Sequence, residues 1–219
     1  MKTQETQSPV RRLLSLFLNL LIAILVLLAW LYMSITFDRH GRFSAEGLSN
    51  LRYFTVISNL MQGIASLMTV PRLLRRRPFS RSFVRFRFMA TVSVTLTFFT
   101  VLLFLGPVFG FEGMYDGANF WFHLVVPVLA MIDFCVVDRN GVVRMGDTTL
   151  TVLPMLVYGL LYVGNIVKNG IGKGANTNDW YGFAVWGQKS AAVVFVILTL
   201  AAWLIAVIMR LPRRRGGPE

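Results

Sequence analysis

The sequence predicts an all-α polytopic membrane protein, a bundle of about six transmembrane helices, and three observations carry that prediction. Of 219 residues, 55% are hydrophobic and only 15% charged, whereas soluble domains usually carry about a quarter charged residues. Mean hydropathy is +0.62, and several apolar runs reach the roughly 20 residues that a helix needs to cross hydrocarbon. The connections between them are short and free of repeats, so a single transmembrane domain spans 1–219. A backbone in hydrocarbon must satisfy its own hydrogen bonds, which makes the spans helices.

The first span lies near 13–35, behind Arg11 and Arg12. It is too long for a signal-peptide core and lacks a small-residue cleavage site, so it reads as a retained helix. The second lies near 51–70 and is the most polar. Its Thr55, Ser58, Asn59, Gln62 and Ser66 fall along one helical face. Such a face serves either interhelical hydrogen bonding or a site, because polar groups in hydrocarbon turn toward the bundle interior. Pro71 and Pro78 flank the arginine-rich connection to the third span, near 88–109. The hydroxyls there, Thr91, Ser93, Thr95, Thr97 and Thr100, scatter around the helix and are expected to bond back to their own carbonyls, with no role in a site.

The fourth span, near 119–137, opens with Asn119-Phe-Trp-Phe-His123-Leu-Val-Val-Pro127. Asn119 and His123 share a face, and a neutral imidazole is able to act as a general base or simply to pack through a hydrogen bond. The fifth, near 148–167, carries Thr151, Pro154, Tyr158, Tyr162 and Asn165 on one face, and the sixth lies near 190–209.

The formal charge of +12 does not point to nucleic acid, because no aromatic-interleaved basic surface accompanies it. Its arginines cluster at span ends: seven between Arg72 and Arg87, and more at Arg210 and Arg213 to Arg215. With Lys2, Arg11, Arg12, Arg139 and Arg144 they outnumber Arg39, Arg42, Arg52, Lys168, Lys173 and Lys189 on the opposite side. The majority side, holding both termini, is therefore expected to be cytoplasmic, in a multi-pass protein of the cell membrane whose partners are lipids. Trp30, Tyr32, Trp121, Trp180, Tyr181 and Trp186 then fall at or near the outer interface. The lone Cys135 offers no disulfide framework. His40 and His123 lack companions at metal-ligand spacing, so neither metal nor cofactor is expected. Gly170, Gly172 and Gly174 form a loop without the strand and helix of a phosphate-binding motif.

The orientation sets depth. Thr55 and His123 each lie about four residues past an outer helix start, roughly 6 Å below that surface. A hydroxyl and an imidazole in one layer can form a nucleophile and base pair, provided that their helices are adjacent. Asp133 is about 15 Å deeper along the fourth span and serves another purpose. Glu112, Asp116 and Asp179 are outer-loop acids within reach of His123, and Arg52 or Lys168 is placed to steer a carboxylate.

Tyr53-Phe-Thr55-Val-Ile-Ser-Asn59-Leu, His123-Leu-Val-Val-Pro127 and the span layout resemble the androgen-induced and androgen-dependent TFPI-regulating protein family, in a bacterial-type relative. That resemblance implies a hydrolase of fatty acid esters of hydroxy fatty acids, with Thr55 as nucleophile and His123 as base. An oxyanion then needs donors. The candidates are Asn59 and Asn119, with Ser58, Asn165 and Tyr181 also in the substrate and oxyanion set. A small-solute transporter and a non-catalytic lipid-binding protein are the competing readings.

Overall fold

The computed structural model describes residues 8–35, 47–138, 140–173, 177–184 and 187–213. The expectations placed on Lys2, Arg39, His40, Arg42, Arg139, Gly174, Trp186, Arg214 and Arg215 lie outside the described residues. Six long helices account for most of the chain: α1 (Pro9–Ile35), α2 (Phe54–Leu74), α3 (Arg81–Phe109), α4 (Ala118–Val137), α5 (Met145–Asn169) and α6 (Gln188–Arg210). No strand occurs among the described residues. Five of the six, all but α2, are long and apolar enough to cross a membrane. The exception is also 21 residues long; its polar face lowers its hydropathy.

Most helix ends reach or overrun the apolar runs that predict them, because a polar end costs nothing once it leaves hydrocarbon, whereas α2 starts three residues later than expected, at Phe54. The largest extension is at α3, which begins at Arg81 instead of Phe88. Ser80 caps it by accepting from Phe83 N (3.3 Å), satisfying one of the orphan donors of a first turn.

Prolines set the irregularities. Pro154 lacks an N–H and crowds the carbonyl four residues back, so α5 is interrupted at Thr151–Val152 between Met145–Leu150 and Leu153–Asn169. Two π turns, Val101–Leu105 and Trp121–Val125, directly precede Pro107 and Pro127. Widening the helix is one way to relieve the clash between a proline ring and the carbonyl at i−4. The second of these turns contains His123.

α3 is the hub, packed against α2, α4 and α6, and its Phe88, Ala90, Val92 and Val94 are fully buried. That all-round burial explains why its hydroxyls follow no stripe. Thr91, Ser93, Thr95 and Thr97 each donate to the carbonyl four residues earlier, at 2.7 to 3.2 Å. α1 lies along α2, where a Cβ on Gly63 would come within 2.8 Å of Val26 Cγ1; the missing side chain is what lets the backbones approach.

Charge holds the arginine-rich end. Arg87 is buried and bonds both Asp133 and Asp138. The two aspartates lie on one side of α4 because a π turn, closed by Asp138 N donating to Asp133 O (2.8 Å), brings residues five apart into register. Asn19 of α1 donates to Asp133 Oδ2 (2.7 Å). Arg213 donates to the carbonyls of Asp138 (2.9 Å) and Asn140 (2.7 Å) and lies 4.1 Å over the Phe134 ring. Asp133 thus has the separate purpose expected of it. Arg87 and Arg213, counted by sequence among the span-end charges, are instead internal, Arg87 paired with two aspartates and Arg213 bonded to backbone carbonyls.

Candidate functional site

At the opposite end of the bundle the first turn of α2 is held from a distance. Tyr53 precedes the helix without a side-chain cap, leaving the orphan N–H groups to other partners. Tyr181, in the loop between α5 and α6, accepts from Phe54 N at 2.9 Å. Tyr158 of α5 donates to the Arg52 carbonyl (2.6 Å) and accepts from Trp180 Nε1 (3.0 Å). Tyr162 donates to Asp179 and accepts from Tyr181 N (3.2 Å), and Ala184 N donates to the other carboxylate oxygen (2.9 Å). Burial in this aromatic cluster pushes the Tyr181 phenol up to about 12.

Beneath the loop is a small pocket bounded by Phe54, Thr55, Thr97, Thr100, Tyr158 and Tyr181 together with aliphatic and phenylalanine side chains. The wall is overwhelmingly apolar and its polar elements are hydroxyls. That is the composition of a site for an acyl chain or another apolar ligand bearing few hydrogen-bonding groups. Thr97 and Thr100, given no part by their scattered pattern, join Thr55 in the lining.

Thr55 is half-buried on this wall. Its carbonyl accepts from Ser58 Oγ (3.0 Å) and from Asn59 Nδ2 (2.8 Å), and Ser58 also meets Thr97 Oγ1 at 3.3 Å. Asn59 reaches further, donating to the Phe122 carbonyl of α4 at 3.1 Å. The helices carrying Thr55 and His123 are therefore adjacent at this level. The same bonds alter what Asn59 can do. A side-chain amide has two N–H groups; both are committed to backbone carbonyls, and the atom left over, the buried Oδ1, has no partner among the described residues. Asn59 is arranged as a tie between α2 and α4, and in this state it has no donor left for an oxyanion.

His123 is buried, with Nδ1 2.6 Å from the Met114 carbonyl. It does not line the pocket, and no hydrogen bond joins it to Thr55 among the described residues. Asn119 is buried one turn before it. Asn165 lies elsewhere, near the C-terminal end of α5, donating to Asn178 Oδ1 (3.0 Å) and accepting from Asn169 (2.7 Å). Of the acids within reach by sequence, Glu112 and Asp116 are exposed, and Asp179 is occupied by Tyr162 and Ala184. Lys168 is exposed, and Arg52 lies 5.1 Å over the Tyr53 ring.

The residue that sequence reasoning missed is Met114. Its contribution is a backbone carbonyl, which no side-chain pattern announces. The glycines around it, Gly110 at φ 91 and Gly117 at φ 51, were the available signal that this loop turns sharply. No protein-family model, curated protein or solved structure matches the chain.

Proposed function

We propose that this protein is an intramembrane hydrolase of lipid esters, of the fatty acid ester of hydroxy fatty acid type, in which Thr55 is the nucleophile and His123 the base. The observation that carries the reading is the Thr55 hydroxyl on the wall of an apolar pocket, one helical turn from the Asn59 bond that ties α2 to the residue before His123. The substrate's acyl chain occupies the pocket. His123 takes the Thr55 proton as the hydroxyl attacks the ester carbonyl, then protonates the departing alcohol, and water releases the acyl group from Thr55. Apo geometry that leaves nucleophile and base unbonded is common, since such contacts tighten when substrate binds.

The proposal includes six spans with both termini cytoplasmic, in the cell membrane. Support for α2 as the sixth is its length and its packing between α1 and α3. Exposed Arg75, Arg76, Arg77 and Arg81 at one end of the bundle support the orientation.

The test is labelling by a fluorophosphonate probe and turnover of a fatty acid ester of a hydroxy fatty acid by the purified full chain. Both are expected in the wild type and absent in Thr55→Ala and in His123→Ala. Ester turnover that survives Thr55→Ala removes the assignment. One observation favours a second reading, a lipid-binding protein without chemistry: His123 stands outside the pocket lining. Copurified intact lipid with neither labelling nor turnover would select it. The transporter reading gains nothing from the polar face of α2, whose Ser58, Gln62 and Ser66 spend their groups on Thr97, Thr91 and one another.

A further inference from the structure

His123 is held by two backbone devices that belong to different elements. The first is its own: the π turn Trp121–Val125 ahead of Pro127, whose ring crowds the His123 carbonyl at i−4. The second is the loop between α3 and α4. There the one-turn helix Phe111–Met114 is entered through Gly110 at φ 91, and Gly117 at φ 51 leads out of the loop into α4. Phe111 lies against Gly106 so closely that a Cβ there would be 2.3 Å from the ring. Met114, fully buried at the end of this turn, aims its carbonyl at Nδ1 from 2.6 Å.

A carbonyl oxygen only accepts, so a hydrogen bond at this distance requires the proton to be on Nδ1. A neutral imidazole with its proton there carries its lone pair on Nε2. We propose that the Met114 carbonyl is the positioning group of the site: it fixes His123 in the Nδ1–H tautomer and makes Nε2 the only basic nitrogen, the part an acidic side chain plays in a three-residue arrangement. Use of that lone pair in ester cleavage rests on the hydrolase reading; the tautomer does not. In the reaction the Thr55 proton moves to Nε2 while Nδ1–H stays on Met114 throughout, and Nε2 then returns a proton to the leaving alkoxide. An uncharged carbonyl does this without placing a second carboxylate in the membrane, where an ionised group is costly.

The chain has two histidines, so a His40→Gln background leaves His123 as the sole ring to observe. Long-range proton–nitrogen correlation on the ¹⁵N-histidine-labelled full chain in lipid nanodiscs distinguishes the tautomers by nitrogen shift and coupling pattern. A protonated-type Nδ1 with an unprotonated-type Nε2 at neutral pH is expected; the reverse, or an averaged pair of signals, overturns the proposal. Gly106→Ala displaces Phe111 and with it the Met114 turn, and Pro127→Ala removes the ring behind the π turn. In whichever variant retains the helical fold, the single-tautomer signal should give way to a mixture, with kcat lowered about 10-fold to 100-fold and KM little changed. An unmixed tautomer with full kcat in a folded variant counts against the clamp. The two readings fail separately: a fixed Nδ1–H tautomer without ester turnover defeats only the hydrolase, and turnover with Nε2–H defeats only the clamp.

Discussion

At the end of the bundle that carries the pocket, Tyr158, Tyr162 and Tyr181 gather α2, α5 and the loop after α5 through phenols, one of them bonded to the Asp179 carboxylate. At the arginine-rich end, Arg87, Asp133, Asp138 and Arg213 gather α3, α4 and the turn after α6 through charges buried almost completely. A neutral hydrogen bond contributes about 0.5–1.5 kcal/mol net, and one to a charged group, such as that from Tyr162 to Asp179, about 1.5–3 kcal/mol. Stripping one partner from a buried ion pair costs about 3–5 kcal/mol, because an uncompensated charge is left behind. The tyrosine end is thus the less costly place to open a cavity and exchange a ligand, and the pocket is found there.

The sharpest way to break this comparison is Arg87→Ala, which strands both Asp133 and Asp138. It is expected to lower stability by about 3–5 kcal/mol, measured as thermal unfolding in detergent. Adding Asp133→Ala should restore part of the loss, since the second truncation removes a stranded charge. A loss under about 1 kcal/mol for the single variant would mean that water reaches the cluster.

Tyr162→Phe is the counterpart at the tyrosine end. It takes a donor from Asp179 and an acceptor from Tyr181 N, with an expected cost of about 1–3 kcal/mol. Equal losses for Arg87→Ala and Tyr162→Phe would erase the distinction between the two ends.

Tyr181→Phe removes the acceptor of Phe54 N together with the phenol's hydrogen bonds to Tyr158 and the Thr55 backbone, and should cost about 1–2 kcal/mol. It also has a pH signature. The phenol is pushed from its ordinary value of about 10 up to about 12 by burial, so the unfolded chain loses this proton first. The stability Tyr181 contributes is therefore complete below about pH 10 and lost as pH rises toward about 12. Alkaline unfolding followed by tyrosinate absorbance should show this component in the wild type and its reduction in Tyr181→Phe.

Thr55→Ala has the smallest expected effect on stability, within about 0.5 kcal/mol, because the bonds of that turn are made by its carbonyl and not its hydroxyl. A variant that unfolds readily would assign the Thr55 side chain to packing.

Much of this was legible in sequence because it depends on local periodicity. The apolar runs located the helices, and the offsets of Ser58, Asn59 and Gln62 placed them together on an inner face, which their burial bears out. The α3 hydroxyls bond back as their scatter implied. Pro127, quoted for another reason, also marks the widened turn around His123. Less legible was how each polar group is spent. Asn59 was a candidate donor by type and depth, yet a carbonyl on α4 consumes its second N–H. Arg87 and Arg213 had the appearance of surface retention charges, since counting by loop says nothing about which side chain folds inward.

By itself the sequence determined a helical membrane bundle, the approximate limits of its six long helices and the polar face of α2, because hydropathy and helical period are properties of consecutive residues. Tertiary structure decided that Asp133 and Asp138 meet Arg87, that Thr55 faces a pocket closed by Tyr181, and that His123 is met by the Met114 carbonyl. Those outcomes depend on which helices are neighbours and on backbone atoms common to every residue type, and neither is encoded in the identity of a single side chain.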